Sequence, residues 1–164
     1  MLIRHTRPED LTEILEIYKR ARQFMAQTGN PNQWGDNWPP EDLIREDIRV
    51  QKNYVCEENG QIQAVFYFDQ GDHIDPTYEV IDGGDWIEEG PYGVVHRIAT
   101  AGKVKGAGRY CIQWAFEQCH HLRMDTHADN KIMQKLLLSM GFVYCGIIYV
   151  REDHYPRYAY EKLS

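Results

Sequence analysis

Leu11, Ile14, Leu15, Ile17, Tyr18, Ala21 and Met25 recur at the spacing of one helix face and predict a helix to about Ala26, with Thr6 or Asp10 available as its cap. Leu2 to Thr6, just before it, reads as a short strand. Leu43, Ile44 and Ile48 form the apolar face of a second helix over Glu41 to Gln51. Between the two helices, residues 28–40 are rich in Gly, Pro, Asn and Trp, and read as an ordered loop in which Trp34 and Trp38 want burial. Asn53 to Glu57 and Gln61 to Phe68 read as strands joined at Asn59-Gly60, a strong hairpin signal.

Downstream the pattern predicts a strand at 92–100, a helix at 108–120 and a strand at Leu122–Thr126. A helix over Asn130–Met140 follows, with Ile132, Met133, Leu136, Leu137 and Met140 inward and Gly141 ending it. Phe142 to Val150 is a long strand, Arg151 to Pro156 a turn and Arg157 to Leu163 a final strand. The order is β-α-α-β-β-β-α-β-α-β-β, seven strands and four helices. Its central β-α-β crossover requires parallel pairing, and the hairpins imply antiparallel pairing elsewhere. The expected fold class is α/β (α+β), a mixed, mostly antiparallel sheet in a single domain, 1–164.

Segment 69–92 departs from this regularity. It holds eight acids (Asp69, Asp72, Asp75, Glu79, Asp82, Asp85, Glu88, Glu89) and no Lys or Arg. Tyr78, Val80, Ile81, Trp86 and Ile87 interrupt the acids, so it reads as a structured insertion with a short strand near 78–81 rather than as disorder.

Composition narrows the function classes. A hydrophobic content of 43% and a charged content of 26% fit a globular domain. No apolar run approaches the roughly 20 residues of a membrane span, and Met-Leu-Ile-Arg-His-Thr is too short and polar for a secretory signal. The expected setting is cytoplasmic, with no membrane partner. A net charge of −7 speaks against nucleic acid as a partner. Cys56, Cys111, Cys119 and Cys145 form no C-x-x-C pair and read as buried thiols. His127, Asp125 and Asp129 match no standard metal spacing, and no metal is expected. His120-His121 reads as a helix C-terminus.

Residues 94–109 carry the candidate chemistry. Val94, Val95 and Ile98 form a β-branched run, followed by a loop with Gly102, Gly106 and Gly108, the bases Lys103, Lys105 and Arg109, and then the helical pattern. Strand, glycine-rich basic loop and helix make a phosphate cradle. Glycines allow close backbone approach, and the free amides and dipole of a helix start favour an anion. The same glycines echo a dinucleotide fingerprint with Asp125 downstream, but that unit normally opens a domain, and here three strands precede it.

Lys103-Val104-Lys105-Gly106-Ala107-Gly108 resembles the Q/R-x-x-G-x-G/A signature of the GCN5-related N-acetyltransferases. Asn130 followed by a helix and Gly141-Phe142 looks like the next motif of that family, and Ile3-Arg4 with Asp10-Leu11 resembles its opening strand and helix. The resemblance spans the chain. It implies acetyl transfer from acetyl-CoA to a primary amine of a small molecule or peptide, by direct attack in a ternary complex. Acetyl-CoA would lie in a V-shaped opening between the strands at 94–100 and 122–126. Backbone groups of Ile98, Ala99 and Thr100 would pair with the pantetheine arm. Lys103, Val104, Lys105, Gly106, Ala107, Gly108 and Arg109 would hold the pyrophosphate, and Asn130 would touch the pantetheine or order the site. Dimers are common among such proteins, so a homodimer is compatible.

Two positions depart from the family pattern. Lys103 replaces the usual Gln or Arg and keeps a donor. Leu137 stands where many members carry the tyrosine that protonates the leaving thiolate, and Tyr144 in the next strand is the substitute candidate. A catalytically impaired acetyl-CoA sensor is the alternative this raises. His96 alternates with Val95 and Arg97, sharing a face with Ile98, and is either a base for the amine or a hydrogen-bonded core histidine. Glu79, near Tyr78 and Trp86, is the acid chosen to receive a cationic acceptor, against the reading of the segment as a solvated face. Asp125, Thr126, His127, Asp129 and Asn130 form a polar cluster at a strand end, read as ligand-facing or as a helix cap. Trp34 and Trp38 contact the acceptor or simply anchor their loop.

Overall fold

The computed structural model describes residues 1–150 and 155–164. Seven strands and four α-helices follow the expected order. They are β1 (Leu2–His5), α1 (Leu11–Gln27), α2 (Glu41–Arg49), β2 (Asn53–Glu58), β3 (Gln61–Gly71), β4 (Tyr92–Thr100), α3 (Ala107–Cys119), β5 (Leu122–Thr126), α4 (Lys131–Ser139), β6 (Val143–Tyr149) and β7 (Pro156–Lys162). The hydrogen-bonded strand order is β1-β2-β3-β4-β5-β7-β6. β4 and β5 pair parallel, while β1–β2, β2–β3, β5–β7 and β6–β7 pair antiparallel. The turn expected at 151–156 falls mainly outside the described residues. No described helix is long and apolar enough to cross a membrane.

By its contacts the chain forms two compact units, Met1–Phe68 with Val95–Trp114, and Asp69–Val94 with Ala115–Ser164. In the first, the predicted faces of α1 and α2 supply the core. Leu11, Ile14, Ile17, Tyr18 and Ala21 pack with Ile44, Val55, Ile62, Val65, Ala99 and Ala101. Successive strand residues alternate faces, so Tyr54, Phe66 and Phe68 point the other way, where their rings surround Trp114 of α3. Thr6 does not cap α1; its hydroxyl donates to Asn53 at 2.5 Å. Asp10, at the head of α1, pairs with Arg4 at 2.8 Å and accepts the Arg7 N–H.

The second unit corrects two expectations. Residues 78–81 are not a strand. Pro76 opens a 3-10 turn ending at Tyr78, Asp75 caps it by accepting the Thr77 N–H, and among the described residues the nearby β pairing is an isolated bridge from Asp82 to Ile147. Proline fixes φ and carries no N–H for a ladder. Ile132 does not face inward but is 52% exposed. It lies five residues before the fully buried Leu137, which places it roughly 140° around the helix. His120-His121 follows the end of α3 as expected, and His121 is in addition buried with Arg123 around Glu161 of β7. His121 Nε2 lies 2.6 Å and Arg123 Nε 2.8 Å from Glu161 Oε2, and the Ile87 N–H donates to Oε1. Arg123 also stacks over Trp86 and Tyr92 and donates to the Glu88 carbonyl. The acidic segment is therefore strapped down at 86–88 by charges from β5 and β7. Gly84 belongs to this strap: a Cβ there would run into the Cys145 carbonyl oxygen.

Candidate functional site

Residues 95–100 of β4, the loop after them and the start of α3 lie in the first unit. Gly102 and Gly106 adopt φ of 73° and 82°, left-handed conformations that glycine enters without penalty. The two turns bring the chain from the end of β4 to Ala107, the buried first residue of α3. Amides in the first turn of a helix lack intrahelical acceptors and offer N–H groups to an anion. A Cβ at Gly106 would meet no atom within 4 Å, so open space lies against the loop at that point. Lys103, Lys105 and Arg109 are exposed around it. Free amides, open space and three cations together fit a pyrophosphate.

Arg20 of α1 also belongs to this loop. Its Nη1 donates to the Thr100 carbonyl at 3.0 Å, and its guanidinium occupies the place where a Cβ of Gly102 would sit. The sequence carries no signal for this, because Arg20 reads as one polar residue on the outer face of an amphipathic helix.

β4 is not a regular strand. Arg97 has φ of 53°. The alternation expected of His96 and Ile98 is broken there: His96 and Arg97, neighbours in sequence, both reach the ring of Tyr67. The His96 ring lies 6.0 Å from it, tilted by 28°, and the Arg97 guanidinium 4.4 Å above it. Arg97 pairs through Nε and Nη2 with Oδ2 of Asp47, both at 3.0 Å, and its carbonyl accepts the Tyr18 hydroxyl at 2.8 Å. Burial pushes the Asp47 carboxyl above its usual range, opposed by Arg97 and His96. Burial likewise pushes the Tyr18 hydroxyl up. Ile98 and Thr100 are half-buried and Ala99 is buried. The β4–β5 ladder is confined to Gly93–Leu122 and Val94–Arg123.

The chain matches no protein-family model and no curated protein sequence. Among solved structures, a GNAT-family acetyltransferase from Streptococcus agalactiae shares 28% identity, covering 99% of this chain and 95% of that one, with a TM-score of 0.88. The chain belongs to the GCN5-related N-acetyltransferase superfamily. Two more distant structures share the fold. A ribosomal-protein-alanine N-acetyltransferase from Brucella melitensis has 18% identity, full coverage of both chains and a TM-score of 0.67. A protein from Salmonella typhimurium, solved with acetyl-CoA as its cofactor, has 17% identity, coverage of 99% and 94%, and a TM-score of 0.63. The likeness to the Streptococcus agalactiae protein supports acetyltransferase chemistry in general.

The remaining sequence candidates fall in the second unit, except Trp34 and Trp38, which lie in the first. Asn130 caps α4, its Oδ1 accepting the Met133 N–H at 3.0 Å. Glu79 is exposed and pairs with His73 Nδ1 at 3.0 Å, which raises the His73 pKa. Tyr78 is buried and donates to Asp125 at 2.5 Å. Tyr144 is 45% exposed, with its ring edge-on to Tyr158 and Tyr160, and burial raises its hydroxyl pKa. Leu137 is fully buried in α4 and offers no proton. Trp34 and Trp38 are half-buried, Trp34 with its edge against Tyr18. His127 Nδ1 accepts the Asp129 N–H at 2.9 Å, a local turn contact.

Proposed function

We propose that the protein transfers an acetyl group from acetyl-CoA to a primary amine of a small molecule or peptide, by direct attack in a ternary complex. The observation that carries this reading is the loop after β4, with left-handed glycines, open space at Gly106 and the cations Lys103, Lys105 and Arg109. Acetyl-CoA, when bound, supplies an acetyl thioester activated toward amines. Lys103, Lys105, Arg109 and the amides of Val104, Gly106, Ala107 and Gly108 would hold its pyrophosphate. Main-chain groups of Ile98, Ala99 and Thr100 would bind the pantetheine arm and polarise the thioester carbonyl. Holding both reactants together supplies much of the rate. In this proposal His96 would be the base that relieves the amine of its proton, and Glu79 the acid that attracts a cationic acceptor. Tyr144 would be the donor to the departing thiolate. Asn130 would touch the pantetheine or order the site.

The buried Leu137 favours a second reading, a fold that binds acetyl-CoA without turnover. A free-thiol release assay against a panel of amines separates the two, with Gly108→Trp as the loop control. Release that needs both an amine and an intact loop supports the transferase. Coenzyme A binding without release from any amine supports the sensor.

A further inference from the structure

Arg97 stands in β4 immediately before Ile98–Thr100, the tripeptide proposed to bind the pantetheine arm. At φ of 53° it occupies a region an arginine adopts only when its surroundings impose it. Three elements impose it. Tyr18 of α1 takes the carbonyl, Asp47 of α2 takes the guanidinium, and the Tyr67 ring of β3 lies beneath the guanidinium. Tyr18 and Asp47 are both buried, at 0% and 4% exposure. Asp47 is the anomaly among them. It stands on the inward face of α2, between Ile44 and Ile48, where the helix period calls for an apolar residue. A buried carboxylate with a cationic partner is weak support for stability, since an apolar pair of the same volume often serves as well. Its presence calls for another reason.

The position of Arg97 supplies one. A left-handed residue inside a strand turns the backbone, breaks the alternation of side chains and re-aims the peptide groups that follow. The residues that follow are Ile98, Ala99 and Thr100. At the far end of that tripeptide, Arg20 holds the Thr100 carbonyl. The segment is thus fixed at both ends from α1 and α2, and its main-chain direction is set before any ligand arrives.

We infer that Asp47 is a positioning residue for acetyl transfer: through Arg97 it fixes the turn in β4 that aims the main-chain groups of Ile98–Thr100. This rests on the reading of that tripeptide given under the proposed function. Asp47 touches no substrate; it acts through Arg97, and the phosphate loop lies beyond its influence.

The test is Asp47→Asn, which keeps the shape and removes the charge. Thiol-release kinetics with an accepted amine are combined with calorimetry of coenzyme A and hydrogen exchange of the unliganded protein. The expected result is a tenfold or greater loss of kcat, with the coenzyme A Kd and the acetyl-CoA KM within twofold of the parent. Exchange at the Ile98–Thr100 amides should quicken while the α3 amides stay unchanged. Asp47→Asn combined with Arg97→Gln should be no slower than Asp47→Asn alone, because both break one clamp. Arg97→Lys keeps the charge and loses the fork, and should fall between parent and Asp47→Asn, which gives a milder variant should the others fold poorly. An unchanged kcat, or kcat and coenzyme A affinity falling together, overturns the inference. If the parent releases no thiol with any amine, the proposed function falls, and the exchange data still decide the clamp: unchanged exchange at Ile98–Thr100 refutes it, faster exchange upholds it.

Discussion

Replacing Gly106 with alanine separates backbone strain from ligand contact. At φ of 82° any L-residue pays for the left-handed region, roughly 1–2 kcal/mol. For a chain of 164 residues each kcal/mol lowers Tm by about 2–4 °C, so the strain alone predicts a drop of about 2–8 °C. No clash adds to this, because the new Cβ meets nothing within 4 Å. If that open space is where a phosphate lies, the methyl also obstructs the ligand. A tenfold rise in the coenzyme A Kd, about 1.4 kcal/mol, is then the least effect expected. Gly29 provides the matched control, with φ of 85° and the same empty surroundings, in the loop after α1. Gly29→Ala should lose the same Tm and leave coenzyme A binding unchanged. Thermal unfolding and calorimetry on the two variants read both quantities. Equal coenzyme A affinity in the two proteins would refute the placement of the cradle, whatever the Tm values.

Glu161→Gln should cost about 3–5 kcal/mol in urea unfolding, because it leaves Arg123 and His121 buried without their carboxylate; a loss under 1 kcal/mol contradicts this. Burial pushes the Glu161 carboxyl up, but the bonds from His121, Arg123 and the Ile87 N–H outweigh it and hold it below the usual carboxylate range. A folded pKa below the unfolded one means stability fully present above about pH 4.5 and lost as pH falls through the folded value, so Glu161→Gln should flatten that acid limb. Gly84→Ala should destabilise by about 3 kcal/mol or more, since its Cβ meets main chain at Cys145 that no rotamer change can move; a Tm within 2 °C of the parent, about 1 kcal/mol or less, would show that the strap shifts freely. Tyr144→Phe should lower kcat about 100-fold with KM unchanged if its hydroxyl serves the leaving thiolate; an unchanged kcat removes it from the mechanism.

The regular frame was legible because it depends on local rules. β4 at 92–100 and β5 at 122–126 follow from apolar runs, Gly141 at φ of 89° ends the α4 segment as a glycine should, and the basic glycine loop stands where the pattern places it. Buried charge was not legible. Asp47, Arg123 and Glu161 are charged residues in amphipathic segments, and such residues read as the solvent side. What buries each is a partner far along the chain: Asp47 with Arg97 fifty residues later, Arg123 with Glu161 thirty-eight later. No window of sequence contains both members. The face of His96 failed for the same reason, since the turn at Arg97 that decides it is held from α1 and α2 rather than by β4 itself.

The two buried carboxylates also differ in a way that bears on their parts. Glu161 accepts from His121, Arg123 and a main-chain amide, and these hold its pKa below the usual range. Asp47 sits above its usual range, with burial as the leading cause and the Arg97 guanidinium as its main opposing partner. A carboxylate satisfied from three sides lies at a minimum for its surroundings, which suits a strap that closes the fold around 86–88. A carboxylate still carrying a net desolvation penalty is less stable than the site allows, and an apolar residue on α2 would relieve that penalty. The penalty falls on one of the three contacts that hold the turn of β4 before Ile98. Placement decides between them: Asp47 reaches the turn before Ile98–Thr100 through Arg97, while Glu161 holds Ile87 of the strap, and so Asp47 carries the inference about catalysis.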